Sequence, residues 1–239
     1  MKRILDLFFL PRCSVCGDVL ALEEREDALC KNCSAKMPYF ERGVCPHCGG
    51  ETKGAGFCEA CLKGFVFDSA CAAFPYEAVR EAIHLFKYDG DKTIGKGLGG
   101  WMAEYLLKYQ EELLTKTDVM VSVPLHPKKE KYRGFNQVHI LGEVISEKTG
   151  LVFEKDGLER KRETIAQSEL NPEERKWNLK DAFHATADFA GKRVLLIDDI
   201  FTTGTTCREC AKVLKSLGAE KISVLAFAAN FGENFSHPD

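Results

Sequence analysis

The sequence lacks any run of about twenty apolar residues, the length that a membrane-spanning helix needs. A signal peptide is not indicated either. The N-terminus, MKRILDLFFLPRC, begins with basic residues and a short apolar run. That run is broken by Asp6, stops at Pro11 and has no small-residue cleavage site before the first cysteine. We interpret it as a short amphipathic helix packed on a cytoplasmic protein, with export as the alternative.

The sequence also lacks a strong excess of charge of either sign. A net charge of -3 over 239 residues gives no global electrostatic reason to bind nucleic acid or an acidic membrane, although it leaves room for local basic patches. A hydrophobic content of 45% is typical of a soluble globular protein, and the length suits one ordinary domain plus a smaller one. Composition alone therefore identifies no partner.

Eight of the eleven cysteines form four Cys-x-x-Cys pairs in the first quarter of the chain. Two cysteines at this spacing can present both sulfurs to one tetrahedral ion, and two such knuckles complete a four-thiolate zinc site. Glycines follow two of the pairs, at Gly17 and at Gly49 and Gly50, and supply the left-handed backbone of a knuckle. Four pairs predict two structural zinc ions in a module over residues 1–66. The predicted ligands are Cys13, Cys16, Cys30, Cys33, Cys45, Cys48, Cys58 and Cys61.

The spacing of these knuckles allows two pairing schemes. We favour sequential pairing, in which the first two pairs hold one ion and the last two hold the other, but a cross-braced arrangement would interleave them. Sequential ribbons each close a short loop, and a stretch this poor in apolar residues needs metal to fold. Disulfides or free thiols are the alternative. His47 lies inside the third knuckle but is not needed as a ligand.

The three remaining cysteines are interpreted as core residues. Cys207 and Cys210 have the same spacing, but they fall where a helix should begin, so we expect two small buried residues on one helical face. Cys71 lies in the apolar run ACAAFPY and is expected in a buried strand.

From residue 67 onward the sequence alternates apolar runs of strand length with amphipathic helical segments. Strands are predicted over residues 70–76, 119–125, 194–197 and 222–229, and helices over residues 77–86, 136–148 and 207–217. This alternation predicts an α/β domain over residues 67–239, with a parallel sheet covered by helices on both faces. Ligands bind such sheets at the carboxyl ends of the strands.

The segment VLLIDDIFTTGTT is predicted to lie at that edge. A strand over residues 193–197 is followed by Asp198 and Asp199, and then by a turn before the next helix. Backbone N–H groups, hydroxyls and the helix dipole make such a turn a phosphate cradle. A phosphorylated sugar would place its phosphate in the turn and its hydroxyls on the acids, and Mg²⁺ would complete the neutralisation. The turn comprises Thr202, Thr203, Gly204, Thr205 and Thr206.

IDDIFTTGTT resembles the phosphoribosyl-pyrophosphate (PRPP) motif of type I phosphoribosyltransferases at both acids and at the threonine-glycine turn. VSVPLHPKKEKYRGFNQ and RKRETIAQSELNPEERKWNLKDAF resemble segments of the competence-protein ComF family, including its GntX-like members. That resemblance covers nearly the whole chain. It implies an N-terminal double zinc ribbon joined to a type I phosphoribosyltransferase domain.

The basic segment after residue 125 has donors suited to a pyrophosphate. The resemblance assigns the leaving pyrophosphate to the segment around Arg133 and Gly134, whereas a solvated basic loop is the alternative. We treat this segment as a long basic loop, which differs from the small glycine-rich residues of many type I enzymes. The donors are His126, Lys128, Lys129, Lys131, Arg133, Asn136 and Gln137.

Residues 160–175 are polar and charged, as expected of a lid that closes over a reactive substrate. Lys87 and Tyr88 also resemble family positions and are candidates to reach the pyrophosphate, although solvation of a helix end explains them equally well. The lid residues that match the family pattern are Thr164, Gln167, Arg175 and Asn178.

The resemblance implies a phosphoribosyltransferase that binds PRPP with Mg²⁺ and transfers the sugar to an unidentified acceptor. Asp198, Asp199 and Arg133 are the predicted catalytic residues, and the zinc module is the predicted hood over the acceptor. The alternative, which follows from the family's link to competence, is a non-catalytic protein on a PRPP-binding fold that binds single-stranded DNA or regulates the competence machinery, with DNA-uptake proteins as its partners. A third interpretation makes the ribbons a purely structural cap.

Overall fold

A computed structural model describes residues 10–25, 29–40, 43–48, 51–52, 56–88, 92–160 and 182–230. Most of the predicted N-terminal helix lies outside these residues. The predicted lid beyond Arg160, with its four family-like side chains, also lies outside them, as do Gly49 and Gly50. No helix in the described part of the chain is both long enough and apolar enough to cross a bilayer.

A five-stranded parallel sheet forms the centre of the larger domain. Its strands are β1 (Ser69–Pro75), β2 (Val119–Ser122), β3 (Phe153–Glu154), β6 (Arg193–Phe201) and β7 (Lys221–Ala229). They lie in the order β1-β7-β6-β2-β3. Alternate residues of the central strand β6 pack on opposite faces, as expected when both faces are covered, so the predicted α/β architecture is confirmed.

Strand β6 is longer than predicted. It continues to Phe201, so Asp198 and Asp199 lie within the strand and do not follow it. The extension pairs with β7 alone, through Asp198 with Ala226 and Phe201 with Ala229, because β2 ends at Ser122. The acids therefore border the space beyond the end of β2.

Eight α-helices are described, and three of them were predicted within a few residues of their observed bounds. These three are α3 (Tyr76–Tyr88), α7 (Gln137–Thr149) and α8 (Thr205–Ser216). The structure adds two short helices in the zinc module, α1 (Lys31–Ser34) and α2 (Glu59–Leu62), and three in the larger domain, α4 (Lys92–Tyr109), α5 (Glu111–Thr115) and α6 (Pro127–Arg133).

Glycines explain why α4 was not predicted from the sequence. Gly, usually unfavourable inside a helix, is used here because α4 approaches its neighbours closely. A Cβ at Gly95 would collide with the Phe86 ring, and a Cβ at Gly99 would lie 2.8 Å from the Cβ of Val144 on α7. The glycine-rich segment is therefore a packed helix.

The helices divide between the two faces of the sheet. Helices α3, α4 and α7 bury one face, and α8 buries the other together with a separate antiparallel pair of strands, β4 (Leu158–Arg160) and β5 (Phe183–Ala185). This pair of strands was not predicted, and Arg160 is the last residue of β4.

The zinc module wraps the open edge of strand β1. The Phe40 N–H donates to the Ala73 carbonyl at 2.8 Å, and the Phe57 N–H donates to the Ala70 carbonyl at 2.8 Å. The Tyr39 hydroxyl also donates to Glu104 of α4 at 3.1 Å. The module is thus fixed to the larger domain by backbone hydrogen bonds as well as by packing.

Candidate functional site

Two clusters of four cysteines form the expected metal centres. One contains Cys13, Cys16, Cys30 and Cys33, and the other contains Cys45, Cys48, Cys58 and Cys61. Within each cluster the four sulfurs lie within 4.8 Å of one another, which confirms the sequential pairing.

The sulfur geometry fits zinc. A tetrahedral ion with Zn–S bonds of about 2.3 Å holds its sulfurs about 3.8 Å apart. The observed Sγ separations are 3.8 Å for Cys16 and Cys30, and 3.8 Å for Cys48 and Cys58. Backbone N–H groups also point at ligand sulfurs, as in the 3.3 Å contact from Cys58 N to Cys45 Sγ, and such contacts stabilise thiolates.

The second candidate site is a cleft of about 290 Å³ at the carboxyl ends of β2 and β6. It lies where ligands bind parallel sheets, and both acids and cations line it. Its lining polar residues are Lys87, His126, Lys129, Asn136, Gln137, Arg160, Asp198, Asp199, Thr202 and Thr206.

The two acids of β6 have different surroundings. Asp199 Oδ2 lies 2.7 Å from the ammonium of Lys87, at the end of α3. Asp198 Oδ1 accepts from the Asp199 N–H at 2.8 Å, and its Oδ2 lies 3.5 Å from the Cys207 thiol. Burial of its carboxyl and the neighbouring Asp199 raise the pKa of Asp198 to about 7.

The threonine-glycine turn leads directly into α8. Gly204 has a left-handed φ of 66° at the N-cap, and the helix begins at Thr205, two residues earlier than predicted. No side chain in the described residues caps this helix end, so its first N–H groups and its dipole are available to an anion. Thr202 and Thr206 line the cleft, whereas the hydroxyls of Thr203 and Thr205 lie 2.8 Å from each other beside it.

The basic segment after β2 is a helix, which corrects the predicted long loop. Pro127 occupies the first turn of α6, the imidazole of His126 accepts from the Lys128 N–H, and Gly134 ends the helix with a φ of 78°. The sequence contains these cap signals, but its many charged residues favoured the prediction of a long basic loop.

The helix divides the predicted pyrophosphate residues. Lys129 faces the cleft, where partial desolvation and then the nearby cations Arg133 and Lys87 lower its pKa. Arg133 and Gly134 are not among the lining residues. The Arg133 guanidinium lies 5.6 Å from the centre of the Tyr88 ring and donates to Gln137 Oε1 at 3.1 Å.

Two contacts of the cleft were not predicted from the sequence. Arg160 reaches it from the end of β4, although we assigned it to the lid, and only the pairing of β4 with β5 reveals its position. Cys207 was interpreted as a core residue. It is buried as predicted, as is Cys210, but it also touches Asp198. Cys71 is buried in β1, also as predicted.

The zinc module lies behind the threonine-glycine turn. In the described part of the chain, no residue of the module lines the cleft, so the module is not the predicted hood over it. Its second ribbon packs instead on Phe201, with ring centres 4.8 Å away at Phe57 and 5.6 Å away at His47. A Cβ at Gly204 would lie 2.6 Å from the Phe65 ring, so the module supports the turn from below.

Comparisons with known proteins agree with this architecture. A family model described as a double zinc ribbon domain matches residues 4–62, and one described as a phosphoribosyl transferase domain matches residues 145–233. Together with the parallel sheet and the two cysteine clusters, these matches confirm the predicted fold. The boundary after residue 66 stays a prediction.

Three relatives match over nearly their whole length. Competence protein ComFC of Streptococcus pneumoniae is 31% identical, with 90% of this chain and 98% of that protein covered. Competence protein F of Haemophilus influenzae is 30% identical, with 92% and 98% covered. DNA utilization protein YhgH of Escherichia coli K12 is 29% identical, with 89% and 94% covered.

Proposed function

Because the chain belongs to the ComF family of competence proteins, with a double zinc ribbon and a phosphoribosyltransferase domain, we propose that it binds PRPP and transfers the phosphoribosyl group to an acceptor. The acceptor is unidentified. A cytoplasmic location is part of the proposal, because eight cysteines kept as zinc thiolates suit a reducing compartment.

One observation carries the proposal. A single cleft brings together the acid pair of β6, the N-terminus of α8 and the cations Lys87, Lys129 and Arg160. PRPP has a phosphate at one end, vicinal hydroxyls in the middle and a pyrophosphate on the anomeric carbon. The Thr202 and Thr206 side of the cleft suits the first, Asp198 and Asp199 suit the second, and the cations suit the third.

The proposed reaction is a displacement at the anomeric carbon. The bond to pyrophosphate breaks with its electron pair leaving on oxygen, the acceptor forms the new bond, and the acceptor's proton is lost to solvent or a base. The transition state is oxocarbenium-like, so the anionic surroundings of Asp198 and Asp199 stabilise the sugar, and the cations stabilise the leaving group. Arg133 lies outside the cleft lining, so in this scheme it would act by positioning Gln137, to which it donates a hydrogen bond.

Magnesium fits the acid side of the cleft. The two carboxylates are oxygen ligands of the kind that Mg²⁺ prefers, in combination with substrate phosphates. When bound, Mg²⁺ supplies charge neutralisation for the pyrophosphate. Lys87 neutralises Asp199 in the structure, where Mg²⁺ would otherwise do so. The lysine is therefore expected to move toward the pyrophosphate when PRPP binds with Mg²⁺.

Calorimetric titration with PRPP and Mg²⁺, followed by an acceptor screen that detects released pyrophosphate, tests the proposal. Asp199→Asn should abolish PRPP binding while the chain still folds. If PRPP binds but no acceptor releases pyrophosphate, the proposed ligand stands and the proposed transferase activity is refuted. Absence of PRPP binding to the wild-type protein would refute the proposal.

A second candidate function is binding of single-stranded DNA, and one observation favours it. Helix α6 exposes Tyr132, 83% accessible, among the basic residues Lys128, Lys131 and Arg133. An exposed aromatic ring flanked by cations is typical of surfaces on which single-stranded bases stack. Steeply salt-dependent DNA binding that Tyr132→Ala weakens and Asp199→Asn does not would favour this function.

A further inference from the structure

Gln137 occupies an unusual position for a polar side chain. It is the first residue of α7, it is only 1% exposed, and it lines the cleft. Its neighbour Asn136 is also buried and caps the helix by accepting from the Val138 N–H at 3.0 Å. The N-terminus of α7, where the helix dipole favours anions, is therefore held firmly at the cleft.

The orientation of the Gln137 amide is fixed by Arg133. The guanidinium can only donate, so the oxygen of the amide must face it, and Nη1 lies 3.1 Å from Oε1. Arg133 is itself held against the Tyr88 ring. Rotating the amide by half a turn would set two donors against each other, so the NH₂ group is directed away from Arg133.

The Nε2 atom of Gln137 is buried and has no hydrogen-bond partner among the described residues. Burying an amide N–H₂ without an acceptor is unfavourable, and native proteins do so rarely. Gln137 lines the same cleft as three cations, Lys87, Lys129 and Arg160. A donor in these surroundings matches an anionic oxygen.

We propose that Gln137 is a ligand-binding residue whose Nε2 donates to a phosphoryl oxygen of the pyrophosphate, while its Oε1 positions Arg133. This inference rests on the proposed function and assigns the recognition of one end of PRPP to a residue outside the PRPP motif. The amide adds a directional contact that the point charges of the lysines do not provide.

Substitution Gln137→Glu gives the test, because it keeps an oxygen for Arg133 and replaces the donor by an anionic oxygen. The probes are inorganic pyrophosphate with Mg²⁺, for the cation side, and ribose 5-phosphate, for the phosphate turn. Calorimetry should show pyrophosphate affinity reduced by at least about 30-fold in the variant, and ribose 5-phosphate affinity changed by less than about 3-fold.

Gln110→Glu is the matched control. Gln110 is also buried, but its Nε2 donates to the Tyr105 hydroxyl at 3.0 Å, and it lies outside the cleft lining, so its substitution should leave both affinities unchanged. If Gln137→Glu does not fold, Gln137→Met removes the donor without adding charge. We expect about a 10-fold loss of pyrophosphate affinity in that variant.

A spectroscopic measurement distinguishes direct contact of Gln137 with the pyrophosphate from a purely structural role of this residue. The side-chain amide resonance of Gln137, assigned by its absence in the variant, should shift on addition of pyrophosphate and not on addition of ribose 5-phosphate. Wild-type affinity for pyrophosphate in both Gln137 variants, or equal loss of both probes, would overturn the inference while the proposed function stands. Wild-type protein that binds neither PRPP nor pyrophosphate would overturn both.

Discussion

The ammonium of Lys87 lies 2.7 Å from Oδ2 of Asp199, and the two side chains are only 16% and 20% exposed. This ion pair joins the end of α3 to the acid-bearing end of β6. It compensates one of two adjacent carboxylates that would otherwise repel each other in a partly desolvated site.

Lys87→Met is therefore expected to lower the free energy of unfolding by about 1–3 kcal/mol, because it leaves Asp199 unpaired beside Asp198. Denaturant unfolding of the wild type, each single variant and Lys87→Met/Asp199→Asn completes a double-mutant cycle. The double variant should recover most of the loss. Additive effects of the two substitutions would contradict the coupling.

Asp198 should make stability depend on pH. Its pKa is raised to about 7, so the folded protein keeps a proton that the unfolded chain, with a carboxyl pKa near 3.8, has already lost. The ionised form therefore costs stability, and this cost grows from about pH 4 to pH 7 and is complete above pH 7. Asp198→Asn should stabilise the protein by the order of 2 kcal/mol at pH 8.

The stabilisation by Asp198→Asn should be clearly smaller at pH 5.5. Denaturant unfolding between pH 5.5 and pH 8.5, where the thiolates retain zinc, measures the difference. A stabilisation that is equal at all these pH values would show that Asp198 titrates normally.

The two zinc sites should differ in their effect on the cleft. The second ribbon touches Phe201 and Gly204, whereas the first packs with α4 and β1. Cys58→Ser and Cys16→Ser should each reduce the zinc content by about one ion per chain. Only Cys58→Ser should also weaken PRPP binding, measured by calorimetry beside metal analysis. Equal loss of affinity in both variants would indicate general unfolding.

Gly204 and Gly134 allow backbone strain to be compared with steric collision of an added Cβ. Both have left-handed φ values, 66° and 78°, but a Cβ would meet the Phe201 and Phe65 rings at Gly204 and nothing within 4 Å at Gly134. Gly134→Ala should lower the free energy of unfolding by about 1 kcal/mol, and Gly204→Ala should lower it by about 2–4 kcal/mol. Gly204→Ala should also weaken the binding of ribose 5-phosphate. Thermal unfolding gives the first comparison, and equal costs would exclude the collision.

The sequence was sufficient where the signal was local. Cysteine spacing predicted both metal clusters, and the order of strand, acid pair, turn and helix predicted the edge of the sheet at which Asp198, Asp199 and the threonines lie. These signals are local because knuckles, strand ends and helix caps involve residues a few positions apart.

The remaining features depend on contacts between distant segments. Helix α4 was missed because its glycines serve close packing against Phe86 and Val144, which local propensity does not reveal. The predicted strand ended before the observed end of β6, because the last residues of β6 pair with β7 alone. The sequence indicates Lys87 and Gln137 as candidates for the pyrophosphate, but their contacts with Asp199 and Arg133 form only in the tertiary fold. No local pattern could assign those contacts, or place Arg160 in the same cleft.

The backbone hydrogen bonds from Phe40 and Phe57 to β1 have a consequence for biosynthesis. Strand edges left open recruit other chains, and here a metal-dependent module closes the edge. A chain made faster than it acquires zinc would expose that edge and self-associate. Zinc starvation should therefore appear first as insoluble protein, before any change in the zinc content of the soluble fraction.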